Sequence, residues 1–287
     1  MAAKETKAAK AVLITGCSTG IGRATAEYLA EKGWNVYATA RRPESIQDLE
    51  AKGCKILALD VTDEASMEAA VRAVEDAEGA VGVLINNAGY SQSGAVESVK
   101  LDDVRAQFET NVFGLVRMCQ LVLPKMREQR WGKIVNVSSM GGRLTFPGGG
   151  IYHGTKHAVE AISDALRFEV RGFGVDVIVI EPGLIRTQFA DAAVSKIETG
   201  TTANGPYAEF NAAVADATAG AYEGPIAKLG GGPETVAHKI EKAISRRRPK
   251  TRYPVTPSAR VILGIRRVLP DRGWDKFNAS NFPQPKP

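Results

Sequence analysis

From Ala11 to about Lys32 the chain passes through an apolar run, a glycine-rich turn and a helical pattern with no spacer between them. Ala11-Val12-Leu13-Ile14 reads as a buried strand. Thr15-Gly16-Cys17-Ser18-Thr19-Gly20-Ile21-Gly22 reads as the turn. Glycines let a backbone approach a pyrophosphate closely. The helix N-terminus adds free N–H groups and the positive end of a dipole. A glycine pattern alone says little, but one lying directly between a strand and a helix points to a dinucleotide site. Thr15, Gly16, Ser18, Thr19, Gly20, Ile21 and Gly22 are therefore expected to surround a nucleotide cofactor.

The same alternation continues. Strands are expected at 35–40, 54–59, 81–85, 134–137, 175–180 and 250–255. Helices are expected at 43–52, 63–78, 101–130, 152–171, 233–248 and 256–269. Alternation at this spacing predicts an α/β fold, a Rossmann-type doubly wound parallel sheet of about seven strands with helices on both faces. One domain is expected over 11–269. Residues 1–10 are expected to be a disordered tail, 188–232 a substrate lid and 270–287 a second tail. Ligands of such sheets bind beyond the carboxyl ends of the strands. The glycine turn, Asn86 to Gly89, Ser139 and Pro182-Gly183 all fall at those ends, so one shared site is expected.

The end of the second strand bears on the cofactor. A site for NAD usually places a carboxylate there to bind the ribose 2′-hydroxyl. This chain instead reads Thr39-Ala40-Arg41-Arg42. Guanidinium pairs well with phosphate, so NADP(H) is expected in preference to NAD(H), with Arg41 the main 2′-phosphate contact and Arg42 in support. Asp60, followed by Val61, is placed to accept from the adenine amino group.

The chemistry is expected between Ile134 and Lys156. The strand there ends in Ser138-Ser139, and the helix that follows opens with Tyr152-His153-Gly154-Thr155-Lys156. Residues four apart share a helix face. A free tyrosine titrates near ~10, and a neighbouring ammonium favours its phenolate. Such a pair can give a proton to a carbonyl oxygen or take one from an alcohol. Tyr and Lys at this spacing are also common on helix surfaces. The other strand-end motifs tip the balance towards chemistry.

Composition sets the frame. The 287 residues are 44% hydrophobic, enough for a sizeable core, and carry a formal charge of +5. Part of that excess is Lys4, Lys7 and Lys10; part is Arg246, Arg247, Arg248, Lys250 and Arg252. Cys17, Cys54 and Cys119 are scattered and odd in number, which fits a thiol-reducing compartment. No signal peptide or membrane span is read, so a cytoplasmic protein with no stable membrane insertion and no nucleic-acid partner is expected.

Taken together, the motifs resemble the short-chain dehydrogenase/reductase family. Thr15-Gly16 through Gly20 and Gly22 match its TGxxxGxG turn, and Asn86-Asn87-Ala88-Gly89 match its NNAG motif. Asn111, Ser139, Tyr152 and Lys156 match its catalytic tetrad. Pro182, Gly183 and Thr187 match the segment that contacts the nicotinamide. The resemblance covers about 11–190 closely. It implies Tyr152 as acid and base, and Lys156 on the nicotinamide ribose. It also implies Ser139 on the substrate oxygen and Asn111 holding a water. It places Asn87, Ala88, Gly89 and Ile185 at the cofactor and a homodimer or homotetramer in solution. Details of the turn, of VYATAR and of NNAGY resemble the hydroxysteroid and retinol dehydrogenase-like subgroup, which implies a small lipophilic ketone or alcohol as substrate.

Tyr90, Leu144, Phe146, Leu184 and Phe189 are the candidate pocket walls, with Ser139 and Tyr152. Gly148-Gly149-Gly150 is expected to loosen the pocket rim. His153 and His157 are expected at the surface or an interface, with no metal site. The apolar helix 256–269 is expected to serve core or interface packing. Competing readings are a dinucleotide sensor that has lost turnover, an NAD-preferring alcohol dehydrogenase, and a Ser139/Lys156 hydrolase. The hydrolase lacks a nucleophile elbow.

Overall fold

In the computed structural model, residues 9–187, 205–220, 225–282 and 284–285 are described. Seven strands form one parallel sheet: β1 (Ala11–Ile14), β2 (Asn35–Ala40), β3 (Lys55–Ala58), β4 (Val83–Asn86), β5 (Gly132–Val137), β6 (Val175–Glu181) and β7 (Arg252–Pro254), in the order β3-β2-β1-β4-β5-β6-β7. This is the doubly wound arrangement that the alternation predicts.

Period-two alternation divides the core. Val12 and Ile14 of β1 join the cluster on one face, and Ala11 and Leu13 join the cluster on the other. Both faces of a parallel sheet are covered by helices, so its strands can be apolar throughout. One face carries α1 (Gly20–Glu31) and, after β6, α7 (Pro233–Ile244), which contributes Val236 and Ile240. The other carries α2 (Glu64–Glu78), α4 (Gly114–Glu128) and α5 (Gly150–Val170). Asp63 caps α2 by accepting from Ser66 N–H.

The long helix expected from Leu101 to Arg130 is interrupted. It consists of α3 (Leu101–Phe108), a π-turn over Glu109–Phe113, and α4. Asn111 lies in the π-turn, whose wider hydrogen bonding is common at functional sites.

The C-terminal part departs from expectation. After α6 (Ala208–Gly220), α7 and α8 (Pro257–Val268), the presumed tail forms a further helix, α9 (Asp271–Ala279). Trp274 anchors it. The side chain is buried, its Nε1–H donates to Thr145 O at 3.0 Å, and its ring lies 5.7 Å from Phe146. At the other end, Ala9 N–H donates to Gln129 Oε1 at 3.0 Å, so contacts with the domain reach back before Ala11. Residues 1–8, 188–204 and 221–224, with Phe189 and much of the expected lid, lie outside the described residues.

Candidate active site

The order of strands reverses between β1 and β4, and a crevice opens there. Side chains staple its two walls. Thr15 Oγ1 accepts from Asn87 N–H and Ala88 N–H, each at 3.0 Å. Asn87 Nδ2 donates back to Thr15 O at 3.0 Å and Gly16 O at 2.9 Å. Glycine is required by this contact. A Cβ on Gly16 would stand 2.9 Å from Ala88 Cα, and one on Gly22 would stand 2.2 Å from Gly16 O. Thr15 and Gly22 therefore shape the crevice from behind.

Gly16, Ser18, Thr19, Gly20 and Ile21 line a cavity of about 1130 Å³. The first turn of α1 holds no acid, and its N-cap residue Thr19 makes no side-chain cap bond. The N–H groups there are left for an anion. Arg41, Asp60, Val61, Asn87, Ala88, Gly89, Pro182, Gly183, Ile185 and Thr187 complete this half of the wall. A dinucleotide fits these residues: a close backbone approach for phosphate at one end, and a guanidinium in place of a carboxylate. Arg42 does not reach the cavity wall. It is exposed, and its carbonyl accepts from Ser45 at the start of the 3₁₀ segment Pro43–Lys52. Asp60 already spends one oxygen on Thr62, from N–H at 2.9 Å and Oγ1 at 2.7 Å.

The other half of the cavity holds Ser139, Tyr152 and Lys156. Buried polar bonds fix the helix that carries the last two. Asn86 Nδ2 donates to Asn136 Oδ1 at 2.9 Å, and Asn136 Nδ2 donates to Ser163 Oγ at 2.9 Å, which ties β4 and β5 to α5. Asn111 Nδ2 donates to Thr155 Oγ1 at 3.1 Å and to Tyr90 O at 2.9 Å, while its Oδ1 accepts from Tyr90 N–H at 3.1 Å. Asn111 is buried and lies behind the wall. Its amide joins the π-turn, α5 and the loop after β4, which explains a polar side chain in an apolar helix.

Lys156 is buried, and Nζ donates to Val137 O at 2.8 Å. Burial pushes its pKa down from 10.5 to about 8, with Glu160 opposing the shift. Its Nζ lies 5.8 Å from the Tyr152 ring centroid. A Cβ on Gly89 would stand 3.0 Å from Asn111 Oδ1 and 3.8 Å from Lys156 Nζ, so this glycine lets the NNAG loop lie against both. Ser139 caps the short turn Met140–Gly142, where Gly141 N–H donates to its Oγ at 3.0 Å, while Ser138 is buried.

Of the expected substrate walls, Tyr90, Phe146 and Leu184 line the cavity. Leu144 does not; it is buried to 2% exposure. The glycine triplet has the opposite effect to that expected. Gly148 sits at φ +75°, and its Cβ would stand 2.5 Å from Val214 Cγ1 of α6. The missing side chains tighten the rim. His153 is also a correction. It is buried rather than at the surface and lines the cavity, while His157 is exposed. Val261, Ile262 and Ile265 of α8 and Phe277 of α9 line the apolar end. The apolar periodicity of 256–269 marks this helix in the sequence. What it faces depends on how the chain returns after β7. Among the described residues no group of three or more His, Cys, Asp or Glu side chains could hold a metal ion.

Comparison with known proteins agrees with this geometry. The family model described as short chain dehydrogenase matches residues 10–198. The NADPH-dependent 3-dehydrocapnine reductase of Ornithobacterium rhinotracheale is 35% identical over 274 residues, covering 92% of this chain and 94% of that protein. The 3-ketodihydrosphingosine reductase of Bacteroides thetaiotaomicron is 44% identical over 181 residues, covering 63% and 65%. A short-chain dehydrogenase from Streptomyces avermitilis superposes with a TM-score of 0.77 at 34% identity, covering 96% of this chain and 99% of that one. A Burkholderia phymatum short chain dehydrogenase/reductase in complex with NAD gives 0.77 at 26% identity, covering 97% of each. A seven-stranded Rossmann-type oxidoreductase domain is what the fold and site define. The chain belongs to the short-chain dehydrogenase/reductase family.

Proposed function

We propose that this protein is an NADP(H)-dependent enzyme that interconverts a lipophilic ketone or aldehyde, steroid-like, retinoid-like or of another apolar skeleton, with its alcohol. The observation that carries the reading is one cavity. The glycine turn and Arg41 line it at one side, Ser139, Tyr152 and Lys156 at the other, and the side chains of α8 and α9 close its apolar end. When bound, the nicotinamide supplies the hydride in reduction and accepts it in oxidation.

The protein's own groups handle the proton and the oxygen. Ser139 Oγ hydrogen-bonds the substrate oxygen and orients it. Tyr152 gives that oxygen its proton in reduction and removes it in oxidation. The Lys156 cation favours the phenolate electrostatically and takes up the ribose hydroxyls. A lysine whose pKa is drawn to about 8 can also exchange protons near neutral pH. Asn111 positions Lys156 and Tyr152 through Thr155 and the π-turn, and it supports a water on the route to solvent.

The preference for NADP(H) rests on Arg41 and on the missing carboxylate at the end of β2. An NADPH-dependent relative supports it. NAD in the complex of another relative favours the second reading, an NAD-preferring alcohol dehydrogenase. We place the enzyme in the cytoplasm, as a homodimer or homotetramer. Three unpaired, buried cysteines support a reducing compartment, and no helix among the described residues is long and apolar enough to cross a membrane.

The test is Tyr152→Phe assayed against a panel of lipophilic ketones with NADPH. Turnover should fall at least ~1000-fold, as expected when the general acid and its bond to the developing alkoxide go together. NADPH titration by fluorescence should change by less than about threefold. Substantial residual turnover would remove Tyr152 from the mechanism.

A further inference from the structure

Beside Tyr152 the cavity wall holds a second polar group that the proposed proton chemistry does not use. His153 is 8% exposed and lines the cavity. Its Nδ1 lies 3.0 Å from Gly141 O. A carbonyl can only accept, so Nδ1 carries the proton and Nε2 presents a lone pair. Burial pushes the imidazole down from 6.5 to about 4, opposed by the bond to Gly141, so the ring stays neutral across the physiological range. The Nε2 edge faces Gly149, which has no side chain to cover it. A Cβ on Gly149 would stand 2.6 Å from Nε2, and Gly149 itself lines the cavity. Any other residue at 149 would mask this acceptor.

The position of the group fixes its use. The Tyr152 and His153 rings are 5.6 Å apart, and the Phe146 ring lies 6.1 Å from His153. Phe146 in turn meets Trp274 at 5.7 Å and Phe282 at 6.4 Å. Along the wall the order is therefore proton donor, hydrogen-bond acceptor, aromatic surface. Once a substrate fills the cavity, an acceptor on this wall with no donor against it is costly.

We infer that His153 Nε2 is a specificity determinant that accepts a hydrogen bond from a hydroxyl or amine on a carbon next to the reacting carbonyl, so that the substrate is an amphiphile: carbonyl, neighbouring donor, apolar chain. This deepens the ketone reductase reading and rests on it.

The experiment compares 2-dodecanone with 1-hydroxy-2-dodecanone, in NADPH oxidation and in binding to the NADP⁺-saturated full chain followed by tryptophan fluorescence. The wild type should favour the hydroxyketone by roughly 10-fold in kcat/KM and in affinity, about the worth of one buried hydrogen bond. His153→Leu should bring that ratio close to one. His153→Gln, which can still donate to Gly141 and accept from the ligand, should restore part of it. The inference is overturned by a wild-type ratio near one, by a ratio that survives His153→Leu, or by equal losses on both ketones, which would mark His153 as a packing residue. Absence of turnover on either ketone counts against the reductase reading. The binding ratio then still decides for or against His153.

Discussion

At the scale of single residues, charges in two places have measurable consequences. Arg41 lines the cavity at the end of β2, where no carboxylate stands. Arg41→Ala should weaken NADPH roughly 10- to 100-fold more than NADH, the range of a charge-assisted hydrogen bond. Equal losses in fluorescence titrations would show that Arg41 does not read the 2′-phosphate. Glu181 ends β6 beside the site and is buried. Its Oε1 is 3.4 Å from Arg252 Nε and 3.6 Å from Arg143 Nη1, but neither oxygen finds a hydrogen bond. Burial, with Glu160 adding to it, pushes its pKa from 4.5 to about 7. The folded protein therefore holds a proton that the unfolded chain releases between those values. This group's contribution to stability is full below about 4.5 and is lost as pH rises through 7. Glu181→Gln keeps an acceptor for the guanidiniums and removes the buried ionisation. The variant should gain roughly 1–3 kcal/mol over wild type at pH 8 and much less at pH 5. Parallel Tm curves for the two proteins between these pH values would rule this out.

At the scale of elements, the sequence was most readable where local pattern alone decides. Ala11–Ile14, the glycine turn and α1 were legible because an apolar run, spaced glycines and helical periodicity each have one local meaning. The Tyr152–Lys156 pair was legible only beside the other strand-end motifs, because its spacing alone also suits a helix surface. What long-range packing decides was hidden. His153 looked like a surface residue from its helical spacing, yet the turn Met140–Gly142 folds over it and Gly141 O meets its ring. Asp271–Ala279 carries four charged residues and an asparagine in nine positions, with two aromatics, and read as tail. Phe146 and Thr145, more than a hundred residues earlier, give Trp274 a distant place to dock. This yields a test of the element. Trp274→Ala should raise KM for a lipophilic ketone by about 10-fold or more, because α9 loses its aromatic anchor. NADPH affinity should stay within about twofold, since α9 borders the apolar end. A parallel loss of cofactor binding would mean that α9 supports the whole domain instead.

At the scale of the molecule, three exposed apolar side chains stand on elements that pack against one another, α3, the π-turn and α5. Phe168 of α5 is 88% exposed, Phe113 in the π-turn 54% and Leu101 of α3 59%. Single exposed apolar residues are ordinary, but large ones gathered on adjacent helices mark an interface. The N-terminal end of α5 lies beside α3, where a Cβ on Gly154 would stand 3.9 Å from the Phe108 ring. Phe168 sits at the opposite end of α5. A two-fold axis across α5 would carry Phe168 of one subunit towards the Phe113 end of the other, an isologous contact that buries both. Such pairing would also stiffen the helix that holds Tyr152 and Lys156. Light scattering at micromolar concentration should therefore give the mass of a dimer or tetramer. Phe168→Asp should shift it towards monomer, because a buried charge would stand against an aromatic ring. The monomeric variant should keep NADPH binding, since the cofactor wall lies within one chain. A wild-type monomer, or an unchanged assembly in Phe168→Asp, would place the interface elsewhere and leave the exposed phenylalanines without a part in assembly.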